Sequence, residues 1–395
     1  MAAWDRAFLR SVIEGLAGLP RLPTSEGEAL AAARIRDELA GCCRRAVVEV
    51  EPAFSSYALP IGLLCAASVG ASVAAARGHR LVGAVVAGLA ALGIADDIGG
   101  HRLAVRRWLL RPARTANVVG HAGDEHAERT LVVLVHHDAA PSGVVFDQRV
   151  HEWVLRRWPR LIENARSNPP LWWLVVAGPA LVALGSAGGS AAVRRAGTVI
   201  SAGSLAAMID IGHRPAVPGA NDNLSGVAAL LALARALKAT PVAGLRVLLV
   251  SAGAEEALQE GIRGFARRHF PRLPPERTFF LALDTVGSGR LVLLEGEGPL
   301  RMCDYHPRFR TLIASCAADQ GIPLVRGLRS RNSTDSSVPH RHGYPAATVV
   351  SVDHRKLMPH YHQSSDIPAH VDLESVAQAA HLAEAVARRL AARDD

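Results

Sequence analysis

Four long stretches without a charged side chain constrain this 395-residue sequence more than any other feature. Tyr57–Ala76 and Leu81–Ala95 are separated only by Arg77-Gly78-His79-Arg80. Pro169–Val193 and Ala196–Ile209 are separated only by Arg194-Arg195. Each pair reads as a helical hairpin. A helix that crosses a bilayer needs about 20 apolar residues, so the first member of each pair is long enough and the second is short. Trp172-Trp173 sits at one edge as an interfacial belt would, and Gly62, Gly70, Gly83 and Gly88 would let helices approach closely in lipid. A buried Ala/Gly-rich hairpin of a soluble protein is the competing reading. The mean hydropathy of +0.16 favours membrane helices.

Outside the hairpins the chain is ordinary globular sequence. Hydrophobic residues at 49% and charged residues at 20% exclude a disordered or fibrous protein. The net charge is +8, but Lys238 and Lys356 are the only lysines, and no arginine–aromatic stripe or nucleic-acid module appears. No nucleic-acid partner is expected. Five cysteines, with Cys42 and Cys43 adjacent, do not make a disulfide framework. The opening MAAWDRAFLRSVIEGL lacks the apolar core of a signal peptide.

Val47–Glu51 alternates like a half-buried strand, and apolar runs of strand length recur at Leu131–Val135, Leu245–Val250, Thr278–Leu283 and Ala346–Val352. Helical stretches occupy Leu224–Lys238 and Leu373–Arg389, the latter behind Asp372 as an N-cap; Ser25 caps another helix start. Alternation of strands and helices predicts an α/β fold, a three-layer αβα arrangement with a mixed, mostly parallel central sheet. The two apolar hairpins are added to it. The expected division is 1–56, the N-terminal part of the catalytic domain; 57–98, the first hairpin; 99–168, with the first metal motif; 169–212, the second hairpin; and 213–395, with the remaining ligands.

Polar groups cluster where these strands end. LVVLV runs into His136-His137-Asp138, LRVLLV leads to Glu255-Glu256, and TFFLAL ends in Asp284. Asp222 precedes an apolar helix, and His362 lies in Tyr361-His362-Gln363-Ser364-Ser365-Asp366. The carboxyl ends of strands form the ligand crevice of open α/β sheets, so these groups can converge. Two histidines and three carboxylates suit a pair of divalent metals. A carboxylate such as Asp222 can bridge them, and of adjacent Glu255 and Glu256 one can ligate while the other takes a proton from water. Taken singly, a histidine after a strand is usually only a satisfied polar residue, and Asp222 or Asp284 only a cap.

In combination the motifs resemble those of the di-zinc aminopeptidases, the zinc exopeptidase family of bacterial leucyl aminopeptidases. Gly219–Gly226 is similar to its Gly-Ala-Asn-Asp-Asn-x-Ser-Gly, Gly253–Glu256 to its Gly-Ala-Glu-Glu, and His136-His137-Asp138 to its His-Tyr-Asp. Asp284 and Tyr361-His362 stand in for its strand-end Asp and late Tyr-His, and Asp335 with Gly343–Ala346 resembles its Asp-His loop, with Ser336 in the His place. The resemblance covers Thr115–Asp138 and Ala216–Arg393. It implies two zinc ions, one on His136 and Asp284, the other on Glu256 and His362, with Asp222 bridging. It implies Glu255 as general base and Asp138 as the carboxylate orienting the His136 ring. It therefore implies a peptide substrate and hydrolysis of N-terminal peptide bonds.

The soluble members lack both hairpins, so these look like insertions into loops of the enzyme fold. His137 for Tyr and Leu258 for the usual Gly bear on substrate preference. A related amide hydrolase, a glutaminyl-cyclase-like enzyme and a non-catalytic membrane receptor or scaffold are the alternative functions. The cyclase usually needs one zinc, and a receptor typically loses ligands. Arginines crowd the non-tip ends of both hairpins, including Arg106, Arg107, Arg156 and Arg157. By the positive-inside rule this predicts a multi-pass protein of the cell membrane, with its catalytic domain in the cytoplasm and the hairpin tips outside.

Overall fold

A computed structural model describes residues 5–158, 160 and 164–392; Met1–Trp4 of the opening sequence and Arg393 at the end of the resembling span lie outside it. Eight strands form one sheet in the order β1 (Arg45–Ala53), β2 (Ala113–Gly123), β4 (Arg246–Ala252), β3 (Thr130–His136), β5 (Thr278–Leu283), β10 (Ala346–Val352), β6 (Arg290–Leu293) and β9 (Leu324–Val325). The centre, β4-β3-β5-β10, is parallel throughout. Antiparallel β1 and β2 flank it on one side, and β6 pairs antiparallel with β10 on the other. β7 (Gly296–Glu297) and β8 (Cys303–Asp304) form a separate small ribbon.

The continuous apolar runs of the central strands follow from burial on both faces. Leu131, Val133 and Val135 of β3 enter one core beneath the helices Arg6–Ala17, Glu26–Ala40, Ser225–Ala239 and Leu373–Ala391, while Val132 and Leu134 enter the opposite core with Ile262, Phe265 and Tyr344. The expected caps form: Ser25 Oγ accepts from Glu28 N, and Asp372 accepts from Glu374 N. All five cysteines are free.

The hairpins are helices Ala58–Ala76 with Arg80–Gly99, and Leu171–Ala187 with Ala191–His213, packed together as one four-helix bundle. Their lengths correct the expectation that each second helix is short. Arg80–Gly99 has 20 residues and Ala191–His213 has 23, because helix continues through Asp96-Asp97 and Arg194-Arg195, while Leu171–Ala187 has only 17. Among the described residues, two helices, Ala58–Ala76 and Arg80–Gly99, are long and apolar enough to cross a membrane by length and composition.

The bundle is apolar outside, and inside it combines small and hydroxyl side chains with Ile61, Ile94, Val182 and Met208. Leu81, Leu89, Leu92, Leu184 and Val199 are 62–78% exposed. Inside, Ser68 Oγ meets Ser201 Oγ at 3.1 Å and Thr198 Oγ1 donates to Ser72 Oγ at 2.6 Å. A Cβ on Gly83 would lie 2.7 Å from the Ala71 carbonyl, and one on Gly197 2.6 Å from that of Gly178. Gly62 also packs in the interior, but Gly88 only grazes Ala183 and Gly70 faces open space, so Gly70 is not the packing residue expected.

Candidate metal centre

The site is assembled where β3, β4 and β5 end. His136 closes β3, the loop Gly253–Gln259 follows β4, and Asp284 follows β5. Asp222 arrives on the tight turn before the helix Ser225–Ala239, opened by Gly219 at φ +57°, where a side chain would strike the Asp222 carbonyl and Arg21. The turn is bracketed on three sides. Asn221 N and Asp222 N donate to the Asp366 carboxylate at 2.8 and 3.1 Å. Asn221 Oδ1 accepts from Gly287 N at 2.7 Å, and Asn223 Oδ1 accepts from Thr285 N at 3.0 Å.

Asp222 lies between the two histidines. Its Oδ1 is 3.3 Å from His136 Nε2 and its Oδ2 is 3.3 Å from His362 Nε2. Glu256 Oε2 is also 3.3 Å from His362 Nε2. The potential ligand atoms of His136, Asp222 and Asp284 lie within 4.8 Å of one another, as do those of Asp222, Glu256 and His362. The two triads share Asp222. Glu255 stands beside both: its potential ligand atoms, with those of His136 and Glu256, form a third such group. The structure thus brings His136, Asp138, Asp222, Glu255, Glu256, Asp284 and His362 to one place. His360 is not among them; its Nδ1 meets Ser365 Oγ and its ring stacks on His370.

Several buried atoms here have no hydrogen-bond partner: Asp222 Oδ2, Glu256 Oε1, His362 Nε2 and both oxygens of Asp335. Carboxylates brought so close in a dry site require a cation. Burial pushes the carboxyls of Glu255, Glu256 and Asp284 up; repulsion adds to it, from Asp335, Glu256 and Asp284 at Glu255 and from Asp222 at Glu256 and Asp284. Burial would lower His362, but Glu256 and Asp222 raise it to about 10. The donor set of two imidazoles and three carboxylates fits zinc pairs.

Asp138 joins the histidine to the glutamate loop. Its Oδ1 is 3.4 Å from His136 Nδ1, while its two oxygens accept from Glu255 N and Glu256 N at 3.1 and 3.0 Å. That loop holds three non-glycine residues at positive φ, Ala254, Leu258 and Gln259. Gln259 Nε2 donates to Glu255 Oε1 and to the Ser333 carbonyl, both at 3.1 Å. Ser336, in the place of the family's histidine, donates to the Ala347 carbonyl at 3.0 Å.

Three supporting residues had no sequence reading of their own. Glu28, in the first turn of the helix that Ser25 caps, accepts from Ala254 N at 2.6 Å and from Thr115 Oγ1 at 2.7 Å. Arg21 is fully buried and donates to the carbonyls of His137, Leu16 and Pro218. Asp366 holds the Asp222 turn. The Pro20-Arg21-Leu22-Pro23 break, an arginine between prolines in an apolar setting, was the one local signal for Arg21.

Residues 207–387 match the sequence model for Peptidase family M28. No curated protein matches the chain. Among solved structures, a glutaminyl cyclase from Bacteroides thetaiotaomicron has a similar fold, with TM-score 0.58 and 14% identity, covering 98% of this chain and 99% of its own. A leucine aminopeptidase precursor from the same organism gives 0.55 at 15% identity over 98% and 97%. A zinc aminopeptidase from Bacillus subtilis gives 0.53 at 15% identity over 98% and 95%. The family match spans Asp222, Glu255, Glu256, Asp284 and His362, whereas His136 and Asp138 lie upstream of it.

Proposed function

We propose that this chain, whose residues 207–387 match the sequence model for Peptidase family M28, is a membrane-anchored, two-zinc aminopeptidase. The observation that carries the reading is the pair of histidine–carboxylate triads sharing Asp222, with Glu255 beside them. His136 and Asp284 would hold one ion, Glu256 and His362 the other, and Asp222 both. Zinc bound there supplies Lewis acidity towards a carbonyl and lowers the pKa of water.

The remaining chemistry is the chain's own. Glu255, its carboxyl raised by burial, accepts the proton of the attacking water and delivers it to the leaving amine. Gln259 fixes one of its oxygens. Asp138 sets both the His136 ring and the backbone of Glu255-Glu256, so ligand and base keep one relative geometry.

The apolar exterior of the bundle and the small and hydroxyl-bonded residues within it support insertion in lipid, since helices pack in bilayers through small residues. Both hairpins start and finish at the enzyme, so the two helices of each hairpin cross as a pair or not at all. The arginine bias at the non-tip ends of the hairpins supports a cytoplasmic position for the enzyme. The fold likeness to a glutaminyl cyclase gives the second reading, a cyclase acting on N-terminal glutamine.

The test uses purified protein, a panel of aminoacyl amides and peptides, and metal analysis before and after chelation. Two zinc ions per chain, with hydrolysis lost on chelation and restored by zinc, is the expected result. Cyclisation of N-terminal glutamine without peptide hydrolysis would replace this reading by the cyclase.

A further inference from the structure

Strand directions decide which side of the enzyme the bundle occupies. β3 and β4 run parallel, with His136 paired to Ala252, so both end at the edge that carries Glu255-Glu256. β2 runs against β4, with Val118 opposite Ser251, so β2 begins at that edge. β1 runs against β2, with Ala53 opposite Ala113, so β1 ends there. The first hairpin connects Ala53 to Ala113, and the second connects the end of β3 to the Asp222 turn. Both insertions therefore rise from the catalytic edge of the sheet.

An apolar wall occupies the junction. Tyr57, Phe146, Trp172, Leu258 and Leu300 belong to one cluster with the interior of the bundle base, and all but Tyr57 are only partly buried. The Phe146 ring stands 4.5 Å from the His362 ring. Gln363 Nε2 donates to the Phe146 carbonyl at 2.9 Å, and Val144 N donates to Asp210 Oδ2 at 2.7 Å, so this segment is tied to the site at one end and to the bundle at the other.

Leu258 is the most informative member. It lies two residues beyond Glu256 with φ at +69°, a conformation that favours glycine. A leucine kept there carries a strain that its side chain must justify, and the side chain packs into this wall.

We infer that the site takes its substrate from the bilayer surface: a peptide held at the lipid–water interface, whose large apolar N-terminal residue seats against the Phe146–Leu258 wall. This rests on the reading of the chain as a membrane-anchored aminopeptidase. Because the bundle stands on the catalytic edge, the scissile bond is processed close to the headgroups, and a peptide anchored in the same leaflet reaches it without a long spacer.

The full chain, zinc-loaded and reconstituted in phosphatidylcholine nanodiscs, is assayed on peptides with N-terminal Leu or Ala, each made free or with a C-terminal acyl anchor. The anchored forms carry spacers of about 5 or about 20 residues; an extended chain spans roughly 3.3–3.6 Å per residue, so the short one reaches no more than about 18 Å. The short-spacer Leu peptide is expected to be cleaved at least tenfold faster than its free counterpart, at a rate that falls as lipid dilutes it. L258G should lower the Leu-to-Ala ratio of kcat/KM about tenfold in a chain that still unfolds cooperatively, since glycine relieves the strain at positive φ while removing the packed side chain. Cleavage restricted to the long spacer and the free peptide, or an unchanged Leu-to-Ala ratio in L258G, would overturn the inference while leaving the aminopeptidase intact. Absence of hydrolysis on every peptide would instead remove the aminopeptidase reading, and this one with it.

Discussion

Arg106 is fully buried at the joint between bundle and enzyme, and its removal should be felt in both. Its guanidinium donates to Asp97 Oδ1 and Oδ2 at 3.0 and 2.8 Å and to the Ala257 carbonyl at 2.6 Å, and lies 3.5 Å from Glu260 Oε1. The carboxylate partners have side chains 2% and 5% exposed. Arg106→Met leaves two buried carboxylates without their cation, a change worth about 3–5 kcal/mol. Unfolding entropy is about 2.1 cal/mol/K per residue, so over a chain of this size a loss of about 4 kcal/mol lowers Tm by about 5 °C. Ala257 directly follows Glu255-Glu256, so the same change loosens the base, and kcat should fall more than KM rises. Thermal unfolding in detergent and steady-state kinetics read the two effects. Asp97→Asn provides the control, since the double variant should lose less than the sum of the singles. Additive losses, or a Tm and kcat equal to wild type in Arg106→Met, would refute the idea that this ion cluster ties the hairpin to the catalytic loop.

Glu255→Gln should keep both zinc ions by metal analysis yet lower kcat by about 10²–10⁴-fold, the usual worth of a general base; near-wild-type turnover would remove Glu255 from that role. Asp222→Ala should instead lose metal, seen as substoichiometric zinc after dialysis. His137, buried against Ser251, is lowered from 6.5 to about 4 by burial, so its contribution to stability is complete above pH 6.5 and is lost as pH falls towards 4. Between pH 7.5 and pH 5 that amounts to about 2 kcal/mol. Denaturant titration of wild type and His137→Gln should show the drop in the first and a smaller one in the second. A reporter active only in the cytoplasm, fused after Asp395, should give signal, and one active only outside should not.

What the sequence made legible were the places where chemistry and regular structure coincide. β3, β4, β5 and β10 are apolar runs buried on both faces, and each of the first three delivers its polar residues at its end, where the apolar run stops. The supports were not legible, because each is a contact between remote segments. Glu28 reaches Ala254 across 226 residues, and Asp366 reaches Asn221 across 145. Nothing local distinguishes a capping glutamate from one that also holds a catalytic loop. The helix ends were misread for a different reason. Charges at 194 and 195 interrupt the apolar pattern, but at the bundle tip their side chains can leave the helix surface while the backbone stays helical.

The placement of the first hairpin turned on an even less visible quantity, the direction of one strand. Chain order alone says that this hairpin lies between β1 and β2, and it is silent about the edge from which it emerges. Were β2 parallel to β4, Ala113 would start at the opposite edge, and the first hairpin would emerge on the far side from the metal ligands, away from the second. The antiparallel pairing of Val118 with Ser251 settles this. It leaves the stretch from Ala113 to Asn117 at the catalytic edge, where Asn117 Oδ1 accepts from Gly253 N at 3.1 Å and its amide donates to the Gly261 carbonyl at 2.8 Å. The strand that returns from the first hairpin is therefore the one that grips both ends of the Glu255-Glu256 loop. The first hairpin is thus held on both sides of the Glu255-Glu256 loop, through Arg106 on the Ala257 carbonyl and through Asn117 on Gly253 and Gly261.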